Sequence, residues 1–145
     1  MKNILIIITT LFFTTSKAQM KVANYSFGKY GTESYRHLSF WTENGKNAFI
    51  EYKHSKEATE VKLVNLGQTV FNGKKSIKVQ FKNKHVLYIT PNGFNLNVSD
   101  ESGEKYFKTF TWEYEGPING VGTFCNVCAE NEKKAMELVM KIYFE

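Results

Sequence analysis

Apolar and polar residues alternate along most of this chain. In the stretch KSIKVQFK, residues 75–82, Ile77, Val79 and Phe81 fall on one side of an extended chain, and lysine, serine and glutamine fall on the other. The same two-residue period recurs from about residue 22 to about residue 115. Because side chains of a strand point alternately to its two faces, this pattern predicts strands with one face in a core and the other in water.

Turn sequences divide the alternating region at short intervals, at residues 43–46, 71–74, 91–93 and 100–103. Asn-Gly, which occurs in three of them, favours the positive φ angles of tight hairpin turns. We therefore expect an antiparallel meander of about eight strands. The expected strands lie near 22–28, 35–42, 47–53, 60–66, 69–72, 75–82, 85–90 and 94–99, with a long one at 104–115 and a short one at 120–125.

The last segment changes period. Ala135, Leu138, Val139 and Ile142 recur at helical spacing, which predicts a helix over about 126–143 with Asn126 as its N-cap. The predicted fold is thus mainly β, an antiparallel meander in a closed or partly open barrel with one C-terminal helix packed on it. Lipocalin-like exported proteins are similar in architecture, although the Gly-x-Trp of that family is absent near the first strand.

The first 18 residues read as a secretory signal peptide. Lys2 precedes the apolar run ILIIITTLFF, and small residues at Ser16 and Ala18 predict cleavage before Gln19. The run is shorter than the roughly 20 residues that a membrane-spanning helix needs, and no later segment approaches that length. A retained N-terminal anchor is the alternative. Cleavage leaves one domain, residues 19–145, exported to a bacterial periplasm or the extracellular space.

Charge argues against a nucleic-acid partner. Two of the 19 basic residues lie in the leader, which leaves 17 against 14 acidic residues, a net charge of +3. Only one of the 17 is an arginine, Arg36, and arginine is the residue that suits bidentate recognition of phosphates and bases. The sequence also contains no recognisable cofactor motif.

Cys125 and Cys128 form the Cys-x-x-Cys motif, for which three hypotheses stand. A disulfide or a pair of buried thiols is typical of an exported protein. A redox pair would use Cys125 as the attacking thiol and Cys128 as the resolving thiol, but no proline follows the motif as in thioredoxin-like enzymes. A zinc site needs two more ligands, and the only histidines are His37, His54 and His85, so no metal site is predicted.

Two further groups of residues are candidates for binding. Aromatic side chains on the inward faces of the strands would either fill the core or hold one small apolar ligand. These candidates are Tyr88, Phe94, Tyr106, Phe110, Trp112 and Tyr114. Lysines around one hairpin would either meet an anionic surface or simply keep a strand face solvated. These are Lys74, Lys75, Lys78, Lys82 and Lys84.

The sequence therefore predicts a non-enzymatic binding or envelope-interaction module with no predicted catalytic residue. Its partner would be a small apolar ligand or an envelope component. One alternative is an envelope thiol-redox factor that uses the two cysteines. Another is an inhibitor-like or immunity-like module that binds a partner protein through exposed strand edges and loops. An exposed apolar patch rather than a cavity would favour this last alternative.

Overall fold

The computed structural model describes residues 19–55, 57–114 and 129–145. They form eight strands, an α-helix and a π-helical turn. The strands are β1 (Gln19–Phe27), β2 (Arg36–Glu43), β3 (Lys46–Lys53), β4 (Val61–Phe71), β5 (Lys74–Gln80), β6 (Val86–Asn92), β7 (Asn95–Ser99) and β8 (Phe107–Trp112); the helix α1 is Glu132–Val139 and the π-helical turn is Met140–Phe144. The predicted leader and the predicted strand at 120–125 lie outside the described residues.

The eight strands form one closed antiparallel ring. Each strand pairs with the next in the chain, and β1 also pairs with β8 through Tyr25 opposite Trp112 and Ser26 opposite Thr111. A meander closes in this way when its first and last strands meet, and closure leaves fewer unpaired strand edges. The predicted fold class, mainly β with one C-terminal helix, is confirmed.

Two of the turns have the predicted Asn-Gly geometry. Asn44 and Gly45, between β2 and β3, have φ angles of 54° and 76°, and Asn72 and Gly73, between β4 and β5, have 49° and 73°. Positive φ at both central residues matches the right-handed twist of paired strands. The local sequence therefore sets the register of both hairpins.

Three element boundaries differ from the prediction. The segments expected at 60–66 and 69–72 form a single strand, β4, which is interrupted by a bulge between Asn65 and Gly67 rather than by a turn. The strand expected over 104–115 is shorter, Phe107–Trp112. Helix α1 begins at Glu132 rather than near 126, and the side-chain oxygen of Asn131 caps it by accepting a hydrogen bond from the backbone N of Lys134.

The interior of the ring is filled by side chains. Tyr25, Leu38, Phe40 and Phe110 have no measurable exposure and belong to one apolar cluster that receives residues from all eight strands. Tyr25 and Phe40 meet edge to face, with ring centroids 5.9 Å apart. This packing follows from ring size, because about eight strands enclose a space that side chains can fill.

The C-terminal helix closes one end of the ring. Ala135, Met136 and Val139 of α1 are buried in the core cluster. The hydroxyl of Tyr143 lies 2.5 Å and 2.8 Å from the backbone oxygens of Trp41 and Phe49, and it accepts a hydrogen bond from the backbone N of Trp41. Since Trp41 is near the end of β2 and Phe49 near the start of β3, these bonds place the C-terminus at the β2–β3 end. Neither helical segment in the described part of the chain has the length and apolar character needed to cross a membrane.

Candidate functional site

The end of the ring opposite α1 contains an apolar pocket. It lies among three connections, those between β3 and β4, between β5 and β6, and between β7 and β8, and it has a volume of about 400 Å³. We call it the open-end pocket. Its principal lining residues are Tyr52, Val61, Phe81, His85, Leu87 and Tyr106.

Aromatic rings build one wall of the open-end pocket. Phe81 meets Tyr52 edge to face with centroids 5.3 Å apart, and it stacks on the ring of His85 at 6.0 Å. Leu87, the inward residue of β6 nearest the pocket, is almost completely buried. Packed rings of this kind offer apolar contact area at little cost in side-chain entropy, so the wall is suited to bind an apolar group.

Two tyrosine hydroxyls meet beside this wall. The Oη atoms of Tyr52 and Tyr106 are 3.3 Å apart, and we call these residues the tyrosine pair. Burial raises the pKa of Tyr106 well above its usual value, and the hydrogen bond with Tyr52 raises it further. Tyr106 therefore stays uncharged over the physiological pH range, and the pair offers an O–H donor to a ligand.

Arg36 holds two of the chain segments at this end together. Its Nη1 atom lies 2.5, 2.8 and 2.5 Å from the backbone oxygens of Glu33, Tyr35 and His54, so one side chain links the β1–β2 and β3–β4 connections. Charged donors form the stronger class of hydrogen bond. Arg36 therefore fixes part of the frame around the pocket.

The six aromatic residues predicted to bind a ligand do not converge. Tyr106 lines the open-end pocket, whereas Phe110 is buried in the core and Trp112 packs against it. Tyr88 lies outside the core cluster, where its ring stacks on Phe71 at a centroid distance of 4.1 Å.

The last two of the six aromatic candidates, Phe94 and Tyr114, are exposed to solvent. Phe94, in the β6–β7 turn, is 45% exposed, and Tyr114, beyond the end of β8, is 60% exposed. The expectation that these aromatic side chains share the interior therefore does not hold for Tyr88, Phe94 and Tyr114. Phe94 and Tyr114 are exposed because they lie in a turn and beyond the end of β8, where strand alternation stops. Tyr88 lies within β6 but is opposite Lys78, on the outer face of the ring.

The five lysines do not form one patch either. Lys74 and Lys75 lie at the helix end, where Lys75 Nζ donates to the backbone oxygen of Phe144. Lys78 is half-buried, 5.7 Å from the ring centre of Tyr88. The other two, Lys82 and Lys84, are exposed in the β5–β6 turn at the opposite end. Cys125 and Cys128 lie outside the described residues.

A second group of polar residues lies in a smaller cleft of about 200 Å³ between β1, β2 and β8. Ser39 Oγ is 3.4 Å from Nδ1 of His37, and Nε2 of His37 is 3.7 Å from Oε2 of Glu113. This order of hydroxyl, imidazole and carboxylate is that of a nucleophile with its base. However, Ser39 is 0% exposed and donates its proton to Oδ1 of Asn24, while Tyr35 donates to Glu113, so the hydroxyl is inaccessible to a substrate.

Several residues of the open-end pocket were missed from the sequence. Tyr52 is not among the predicted site residues, and His85 was considered only as a metal ligand. Phe81 was placed on an inward strand face but is not among the six ligand candidates. The available signal was position, because all three lie within two residues of a predicted strand end, where connections meet. In the described part of the chain, no three His, Cys, Asp or Glu side chains are grouped as metal ligands.

Comparison of the chain with known protein families, with curated proteins and with solved structures finds no match.

Proposed function

We propose that the protein is an exported, non-enzymatic binding module that holds a small apolar ligand in the open-end pocket. The observation that carries this proposal is the contrast between the two ends of the ring. One end is closed by α1 and the core is filled, whereas the other end has a cavity of about 400 Å³ with a predominantly apolar lining. This volume falls in the lower part of the roughly 300–1,000 Å³ range of small-molecule sites.

The lining supports binding rather than chemistry. Phe81, Leu87 and Val61 supply apolar contact, and the tyrosine pair supplies polar groups that orient a ligand. A few fixed polar groups in a mainly apolar pocket are typical of ligand sites. The buried Ser39 and its neighbours supply no accessible nucleophile.

The test uses N-phenyl-1-naphthylamine, an uncharged dye whose fluorescence rises in apolar surroundings. The mature chain should bind it with a single saturable site. Ala58→Trp, which places a large ring in the pocket, should abolish the fluorescence increase. The matched control is Thr111→Trp, because Thr111 is exposed on β8. Absence of saturable binding, or equal binding by both variants, would contradict the proposal.

One observation favours protein binding as a second candidate function. Pairing between β3 and β4 covers only three residue pairs and ends at Leu63. Within the described residues, the rest of β4 pairs only with β5, and Val64, Leu66 and Val70 are exposed, Val70 by 73%. An unpaired apolar edge is a template for another strand.

The partner that this edge fits is a second copy of the same strand. In an antiparallel arrangement centred on Gly67, Val64 of one copy faces Val70 of the other, and no charged residue lies between Leu63 and Phe71. Sedimentation velocity should then detect a dimer at high protein concentration that Val70→Lys dissociates, while Thr111→Lys leaves it intact. A monomer at every concentration would exclude this function.

A further inference from the structure

The open end of the ring carries two cations on the inward faces of its strands. Lys108 on β8 is opposite Val98, which is completely buried, so both side chains lie on the inner face. Arg36 precedes Leu38 and Phe40 by two and four residues on β2, and both of these are core residues. Residues of the same parity in a regular strand share a face. The two charges therefore lie inside the rim rather than on the outer surface.

Among the described residues, no carboxylate forms an ion pair with Arg36 or Lys108. The ion pairs found there include His37 with Glu113 and Lys134 with Glu137. Lys108 Nζ is instead 5.1 Å from the ring centre of Phe27 and 6.0 Å from that of Tyr106. The Nε atom of Arg36 is buried and makes no hydrogen bond with any described residue.

The described walls of the pocket add no negative charge. Their lining residues include His54 and His85 but neither Asp nor Glu. A cleft with one sign of charge and apolar walls concentrates the field that it presents to a ligand. An anionic group in this pocket therefore meets no negative charge from the described lining.

The tyrosine pair stands between the cations and the apolar wall. Around the ring, Phe27 is on β1, Arg36 is on β2 and Tyr52 is on β3. Tyr106 lies just before β8, two residues before Lys108. The contact between the two hydroxyls crosses the opening, with Phe81 on one side. One O–H is donated within the pair, so the other O–H is available to an acceptor on a ligand.

We propose that the open-end pocket takes a small aromatic or aliphatic carboxylate. Its apolar part lies against Phe81 and Leu87, and its carboxylate accepts from the tyrosine pair in the positive field of Lys108 and Arg36. This inference rests on the proposed function, because it names the ligand class for the same pocket. A hydrogen bond to an ionised acceptor is about twice as strong as a neutral one, which gives the carboxylate an advantage over an uncharged analogue.

The experiment compares two competitors of nearly equal shape, 2-naphthoate and 2-naphthamide, for displacement of N-phenyl-1-naphthylamine. We expect the carboxylate to bind about tenfold more tightly than the amide, a difference of about 1.4 kcal/mol. Lys108→Met should reduce this preference severalfold, measured as the ratio of the two competitors' displacement constants within the same variant. The matched control is Lys78→Met, which removes the same charge from the outer face.

A salt titration provides a measurement that needs no variant. The preference for 2-naphthoate should shrink as ionic strength rises from about 0.02 M to about 0.5 M, because the screening length falls from about 20 Å to a few Å. Equal displacement of the dye by both competitors would overturn the carboxylate proposal and leave the proposed function standing. A preference that survives both high salt and Lys108→Met would also overturn it. Failure of the dye itself to bind would instead remove the proposed function.

Discussion

The hydroxyl oxygens of Tyr52 and Tyr106 lie 3.3 Å apart at the open end of the ring, although 54 positions separate the two residues in the chain. Tyr52 is the penultimate residue of β3, and Tyr106 precedes β8. Their contact joins two sides of the opening that share no strand pairing. Both the shape of the open-end pocket and its polar groups depend on this contact.

Removal of one hydroxyl should therefore affect stability and binding together. We expect Tyr106→Phe to lower the free energy of unfolding by about 1 kcal/mol, since Tyr52 loses its partner in a largely buried place. It should also weaken binding of 2-naphthoate more than binding of 2-naphthamide. Urea denaturation and dye displacement measure the two effects. Tyr114→Phe is the control, because Tyr114 is exposed, and equal effects of the two substitutions would contradict the prediction.

Two buried tyrosines should respond in opposite directions to loss of the hydroxyl. Tyr25 Oη is buried and has no hydrogen-bond partner in the described part of the chain, so Tyr25→Phe should raise the free energy of unfolding by about 1–2 kcal/mol. Tyr143→Phe should lower it by about 1–3 kcal/mol, because the backbone groups of Trp41 and Phe49 lose their partner. Thermal or urea unfolding of the Tyr25→Phe and Tyr143→Phe variants measures the two changes in stability. Destabilisation of the same size by both would show that Tyr25 has a partner after all.

Glu51 should make stability depend on pH. Burial raises the pKa of its carboxyl above the usual value, and the negative charge of Glu60 raises it further. Since the unfolded chain then releases this proton at lower pH than the folded chain, stability should fall as pH rises from about 4 through the raised pKa. Glu60→Gln removes the neighbouring charge and should make this fall smaller.

Urea denaturation from about pH 4 to about pH 7 measures the fall in the free energy of unfolding. This pH range begins near the usual carboxyl pKa. Glu104→Gln serves as the control, because Glu104 is exposed and does not contribute to the pKa of Glu51. Parallel stability curves for wild type and Glu60→Gln would show that the two carboxylates are not coupled.

The loop that leads to Arg36 should depend on one glycine. Gly28 has a φ of +81°, and a Cβ there would lie 2.7 Å from the backbone oxygen of Ser34. Gly31 has a similar φ of +86° but open space around it. Both alanine substitutions should cost about 1 kcal/mol for the backbone conformation. Gly28→Ala should cost at least about 1 kcal/mol more for the clash, as measured by urea denaturation, and equal costs would contradict the close approach.

The cysteine pair separates the binding hypothesis from the redox hypothesis. If the protein is a binding module, Cys125→Ser should lower stability at most and leave dye affinity unchanged. A thiol-redox factor would instead show a low thiol pKa and lose its reductase or oxidase activity with the same substitution. Insulin reduction with dithiothreitol measures the reductase activity of the wild type and the variant, and dye titration measures their affinity for the dye.

Local sequence determined the elements of this fold. The two-residue period of strands such as Lys74–Gln80 and the positive φ of Asn44 and Asn72 follow from interactions between near neighbours, and so does the helical spacing of Ala135 and Val139. These patterns predicted a meander with a terminal helix. They placed boundaries less well, because a bulge at Gly67 and a turn have similar local signatures.

Only the tertiary structure decided which of the two ends is open. Ring closure brings the ends of β3 and β5 and the segment before β8 to one place, where Tyr52, Phe81 and Tyr106 meet. Alternation along a strand specifies the inner face but not the depth at which a side chain lies, so it did not separate core-filling Phe110 from pocket-lining Tyr106. That distinction depends on where α1 packs, since the helix closes one end and leaves the other without a covering segment among the described residues.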